Sequence, residues 1–153
     1  MKRSKAKITA VHPADDNHRV LTIEGGGGNY RRKPCSDCPW RTDAVGEFPA
    51  QAFRQSATTA YDQAMSSFGC HQSGADKPAT CAGFLLKGAA HNLGVRFRRV
   101  EGDTFADVTD GGVELFEDYT AMAVANGVAP DDPALKPCRR ARNFVETEKG
   151  KTL

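Results

Sequence analysis

No run of apolar residues approaches the ~18 needed to cross a bilayer, so a spanning helix is excluded as an organising feature and no membrane partner is expected. The basic opening, Met1-Lys2-Arg3-Ser4-Lys5, has no apolar stretch behind it and does not read as a secretory signal. Charge of one sign is scarce too. Twenty-one Lys and Arg against 19 Asp and Glu leave a formal net charge of +2, too little for a global field that would draw nucleic acid. There is no heptad pattern and no internal repeat, which removes coiled coils and solenoids. Cysteine occurs five times, an odd number, so a full set of disulfides would leave one thiol over. The expected compartment is cytoplasmic, where thiols stay reduced and a C-x-x-C pair points to metal or redox chemistry.

What is present fits one domain. A chain of 153 residues can bury a real core, so a metal would supplement hydrophobic burial rather than replace it. The expected fold class is α+β: a small single domain with an N-terminal β-hairpin and a helical four-cysteine metal-binding core. Residues 7–11 and 19–23 are rich in β-branched side chains and flank a polar stretch at 12–18, which predicts a hairpin within residues 1–24. Four glycines at 25–28 make residues 25–29 a joint, without the interleaved residues of a phosphate loop. Residues 30–100 form the metal-binding part. There, apolar spacing predicts a helix from Pro49 to about Met65, with Phe53, Ala57, Ala60 and Tyr61 on one face. A second helix is predicted from a Thr80 cap to about His91, and a strand over 95–100 with alternating Arg. Residues 101–130 belong to the same domain and carry a helix over 113–125, stopped by Asn126-Gly127. Residues 131–153 read as an extended basic and polar tail.

The chemistry lies in the cysteines. Cys35 and Cys38 stand at C-x-x-C spacing, and Cys70 and Cys81 follow. Two thiols at that spacing can reach one soft ion from a single turn, which Pro34 and Pro39 would stiffen. Cys70 is expected at the end of one helix and Cys81 near the start of the next, where a helix N-terminus favours thiolate. Four ligands and one spare, Cys138, account for all five. His71 could replace a cysteine, but neighbours rarely ligate one ion together; it is expected just outside, hydrogen-bonded to a sulfur, with Trp40 and Arg41 also supporting the site. Zn2+ is the default for four thiolates; a [4Fe-4S] cluster is the alternative, since it also takes four cysteines, often with a proline after one, as in Cys38-Pro39. Two enzymatic alternatives stand beside this. A thioredoxin-like redox site would need a strand before Cys35 and a helix after Cys38. A metal-dependent nuclease would draw on His71, His91 and Asn92 beside a hydrated ion, and no carboxylate partner is evident near them in sequence. Short basic clusters offer anion or nucleic-acid contacts if they share a face: Arg31, Arg32 and Lys33; Arg96, Arg98 and Arg99; and Arg139 and Arg140 with Lys136 and Arg142.

Taken together, Pro34-Cys35-x-x-Cys38-Pro39-Trp40-Arg41, Phe68-x-Cys70-His71, Cys81-Ala82-Gly83-Phe84, Asn92 and Arg96 resemble an uncharacterised cysteine-rich domain family of bacteriophages and actinobacteria. The resemblance covers about residues 33–97. Phe84 stands where that family usually has Trp. The C-P-aromatic-Arg turn is also distantly similar to part of the WhiB-like iron–sulfur regulators, whose cysteine spacing differs. The resemblance implies no activity. The expectation is therefore a small, phage-encoded, metal-binding, non-enzymatic interaction protein that contacts a host protein or nucleic acid. The alternative is a metal-dependent nuclease or an iron–sulfur redox or regulatory protein.

Overall fold

A computed structural model describes residues 5–25 and 28–141 of the chain. Strands β1 (Lys7–Pro13) and β2 (Arg19–Glu24) form an antiparallel hairpin, with Ile8 opposite Ile23 and Val11 opposite Leu21. Its turn is closed locally: the Ala14 amide donates to the His18 carbonyl at 2.9 Å, and Asp15 accepts from the Asn17 amide. The hairpin expected from β-branched content is therefore present. Of the glycine joint, residues 26–27 lie outside the described residues, as do Arg142 and the end of the expected tail.

Three short segments then make a small sheet that positions the cysteines. Strand β3 (Asn29–Tyr30) runs parallel to β4 (Ala79–Thr80), and the Arg31 amide donates to the Thr80 carbonyl at 2.9 Å. On the other side of β4, Gly69 bridges Thr80 in antiparallel sense. The helices are all short: α1 (Ala50–Ser56), α2 (Ala82–Lys87), α3 (Leu93–Val100) and α4 (Tyr119–Ala125). The architecture is a mixed α+β arrangement, and no described helix is long and apolar enough to cross a membrane.

Four element expectations are corrected. The first helix starts after Pro49 as expected but gives way to a 3-10 turn at Ala57–Ala60; the Ser56 hydroxyl bonds back to the Ala52 carbonyl and β-branched Thr58 and Thr59 follow. The second is capped by Cys81 rather than Thr80, whose hydroxyl accepts from Arg98, and it ends at Gly88. Residues 95–100 are helix, not strand. The Asn92 side chain accepts from the Val95 amide at 3.0 Å and starts α3, so the alternation of Arg96 and Arg98 was a misleading period. The helix expected over 113–125 begins only at Tyr119, where Asp118 accepts from the Ala121 amide at 2.8 Å. The residues before it run extended, with Leu115 bridging Arg41 and the Phe116 amide donating to the Trp40 carbonyl. Gly127, at φ +101°, ends α4 as anticipated.

Trp40 is the centre of the core. It is fully buried and meets Phe68 and Tyr119 edge-on, each with ring centroids 5.9 Å away. Two glycines of α2 and its end make room for it. A Cβ at Gly83 would stand 2.5 Å from Trp40 Cβ, and one at Gly88 would stand 2.7 Å from Trp40 Cη2. The stretch read as the start of a tail folds back onto this core. Cys138 is buried and bridges Tyr61, and the Arg139 amide donates to the Ala60 carbonyl at 3.0 Å.

Candidate metal centre

The small sheet determines where the sulfurs fall. The turn carrying Cys35 and Cys38 follows β3 and is tightened by the Cys38 amide on the Cys35 carbonyl, 3.2 Å, and the Arg41 amide on the Cys38 carbonyl, 3.0 Å. Beside β4, the Cys70 amide donates to the Ala79 carbonyl and the Cys81 amide donates to the Phe68 carbonyl. Antiparallel pairing thus sets Cys70 and Cys81 apart along the sheet, with the C-x-x-C turn between them. Cys70 lies on this bridged segment, not at a helix end. Cys38 Sγ is 3.6 Å from Cys81 Sγ. The Cys35 thiol reaches both Cys38 and Cys70. The neighbours run in the order Cys81, Cys38, Cys35, Cys70 as an open string, and among the described residues no three of these sulfurs gather within 4.8 Å of one another. Cys138 is not part of it; its thiol faces the Ala57 carbonyl at 3.7 Å.

Backbone and guanidinium donors converge on the string. The amide of Trp40 acts on the Cys38 sulfur and that of Gln72 on the Cys70 sulfur, each from two residues further along. Arg31 Nε lies 3.3 Å from Cys70 Sγ. Such N–H groups favour negative sulfur. At Cys35, Cys38 and Cys70 the neighbouring sulfurs and burial outweigh them. Cys38 beside it raises the Cys35 thiol, Cys70 opposes this, and burial adds to the rise, to about 11. Cys35 lowers Cys38, but Cys81 on its other side and burial push it up to about 12. Cys35 and burial also hold Cys70 well above an ordinary thiol. These are the reverse of an activated redox thiol, which needs a depressed value. The chain after Cys38 also forms a 3-10 turn at Thr42–Ala44 rather than a helix.

His71 donates to a carboxylate rather than to a sulfur: its Nε2 is 2.8 Å from Asp37 Oδ1. That oxygen also receives the Gln72 side chain and lies 3.7 Å from Cys35 Sγ. Among the described residues, Cys35, Asp37 and His71 have ligand atoms within 4.8 Å of one another. Asp37 and Gln72 were not singled out from the sequence. Their signal was position: Asp37 lies inside the C-x-x-C, and Gln72 follows Cys70 by two, as Trp40 follows Cys38. The other residues of a nuclease reading lie outside this group. His91 is buried with Nε2 2.6 Å from the Ala60 carbonyl, and fully buried Asn92 caps α3.

Most of the expected anion contacts are engaged inside the molecule. Arg32 pairs with Asp107, Arg41 with Asp43, Arg98 with Asp103, Arg139 with Asp62 and Arg140 with Asp118. Arg98 also donates to Thr80 and the Gly28 carbonyl, and Arg96 to the Ala90 carbonyl. Arg99 lies over the Phe105 ring at 5.8 Å, and Lys33 sits beside Gly111. These residues hold loops together more than they furnish a basic face.

A small mixed domain with four thiols strung along a three-stranded ribbon defines the class. The chain belongs to a family of unknown function (DUF6283), whose pattern matches residues 30–139. No curated protein and no solved structure matches the chain.

Proposed function

We propose that this domain is a small metal-stabilised interaction protein in which Cys35, Cys38, Cys70 and Cys81 hold one Zn2+, and that its role is binding rather than catalysis. The observation that supports the reading is the run of sulfur neighbours Cys81, Cys38, Cys35 and Cys70, which has to close up for one ion to hold all four. A single tetrahedral ion with bonds of ~2.3 Å sets its sulfurs ~3.8 Å apart, near the 3.6 Å between Cys38 and Cys81. A four-iron cluster, the alternative cofactor, puts each cysteine on a different iron and separates the sulfurs by the cluster itself. The ion supplies the charge that Cys35, Cys38 and Cys70 lack as raised thiols, and so ties the C-x-x-C turn to α2 and the small sheet. His71 orients Asp37 against Cys35 from outside the ligand set.

The partner we favour is a host protein rather than nucleic acid, in keeping with the resemblance to phage and actinobacterial domains. Arg32, Arg41, Arg54, Arg98, Arg139 and Arg140 are committed to the domain's own carboxylates, while Phe97 and Val100 on α3 are exposed. Protein purified without oxygen tests the metal reading by elemental analysis and optical spectrum. One zinc per chain in a colourless protein is expected. A brown protein with iron and sulfide selects the cluster, and a stoichiometric absence of both metals refutes the site.

A further inference from the structure

Beside the sulfur string, and sharing Arg31 and Gln72 with it, lies an open polar cleft of about 430 Å³. Strand β3 and the residues after it form one wall, and the 72–79 segment forms the other. Among the described residues Arg31, Arg32 and Lys77 line it, with Asn29, Gln72 and Ser73 adding polar groups, and no described Asp or Glu does. The two arginines are only partly spent. Asp107 engages Arg32 through Nε, and Cys70 engages Arg31 through Nε, so each guanidinium keeps its terminal N–H donors. Lys77 is exposed and has no ion pair among the described residues. Polar lining rules out an apolar ligand. Two arginines with fork-shaped donors and a lysine lining one cleft suit a compact, multiply charged oxyanion. Tyr30 also borders the cleft, but the Arg32 guanidinium lies over its ring at 4.9 Å and packs against it where a nucleobase would stack.

We infer that this cleft binds the phosphate group of a small phosphorylated ligand. The inference does not depend on the metal. The cleft walls are held by the β3–β4 pairing and by the Ser73 hydroxyl, which donates to the Cys70 carbonyl and accepts from the Ala79 amide. Inorganic phosphate and a nucleoside monophosphate share the recognised group and differ in the rest.

The test is calorimetric titration of the full chain, as purified, with each of these two probes at constant ionic strength, with metal content measured on the same samples. Saturable binding of phosphate is expected, weakened at least about tenfold by Lys77→Glu. Arg32→Gln is the second variant, and Lys77→Glu should leave the far-ultraviolet spectrum and metal content unchanged because that side chain is exposed. Equal affinity for both probes identifies phosphate alone as the determinant; tighter binding of the nucleoside monophosphate identifies a nucleotide as the source. Absence of saturable binding, binding untouched by both variants, or binding only of an oligonucleotide without terminal phosphate would overturn the inference. Phosphate binding by a chain that lacks metal would refute the metal reading alone.

Discussion

Strands β1 and β2 make the longest regular ladder in the described chain, yet β1 has one half-buried position in seven and six exposed ones. Residues 30–139 are the opposite case. No helix there exceeds eight residues, below the ~12 at which an isolated helix becomes even marginal, but Trp40, Phe84, Met122, Ala57 and Ala123 are completely buried. The hairpin has hydrogen bonds without a core, and the cysteine-bearing part has a core without long hydrogen-bonded elements. The two meet at few places: the Gln55 side chain donates to the Pro13 carbonyl, and Phe48 packs edge-on between the rings of His18 and His71. Order in the larger region therefore comes from packing, caps and, on our reading, sulfur ligation.

The comparison breaks most visibly at the sulfurs. Cys38→Ser should abolish stoichiometric metal binding and cost at least about 4 kcal/mol, because ligation energy is folding energy in such sites. Elemental analysis and thermal denaturation check this together, and unchanged metal with unchanged stability would remove Cys38 from the ligand set. Next in size is Gly83→Ala. The added methyl meets Trp40 Cβ at 2.5 Å, where neither backbone yields easily, and about 3 kcal/mol should be lost. A midpoint within about 1 kcal/mol of wild type would mean that the Trp40 contact is slack. Asp118→Ala should cost about 2 kcal/mol in denaturant unfolding, since that buried carboxylate caps α4 and also accepts from Arg140 and the Ala141 amide.

A smaller effect should follow pH. Burial lowers the His91 pKa below its ordinary 6.5, so the unfolded chain takes the proton more readily than the folded one. The contribution of neutral His91 is full above about 6.5 and is lost as pH falls from there towards the lower folded value. Comparing wild type with His91→Gln at pH 7.5 and 5.5 isolates it from acid release of metal: wild type should lose more stability than the variant, and parallel losses would refute the assignment. The smallest effect belongs to the hairpin. A chain beginning at residue 25 should match the full chain in metal content and lose less than about 1 kcal/mol, and a remainder with no cooperative unfolding transition would overturn the contrast itself.

The hairpin and the C-terminus of α4 were legible because their causes are local: β-branched runs around a polar turn, and a glycine that accepts positive φ. The helix at 93–100 was not. Its cap, Asn92, follows directly on the predicted end of the preceding helix at about His91, and alternating arginines imitate strand periodicity until one finds Arg98 tied to Thr80, Asp103 and Gly28. The basic clusters misled for the same reason. Charge is visible in a sequence, but the distant carboxylate that neutralises it is not.

The sequence by itself determined the number and spacing of the thiols and the mixed α+β class, since these rest on residue identity and short-range preference. Only the tertiary structure decided the order of the sulfurs, the placement of Cys138 on a separate carbonyl, the turn of His71 towards Asp37, and the burial of Trp40. Each of these depends on contacts between segments distant in sequence: Cys38 with Cys81, Cys138 with Ala57, His71 with Asp37, and Trp40 with Gly83 and Tyr119. Local sequence carries no record of which distant backbone will supply the hydrogen bonds.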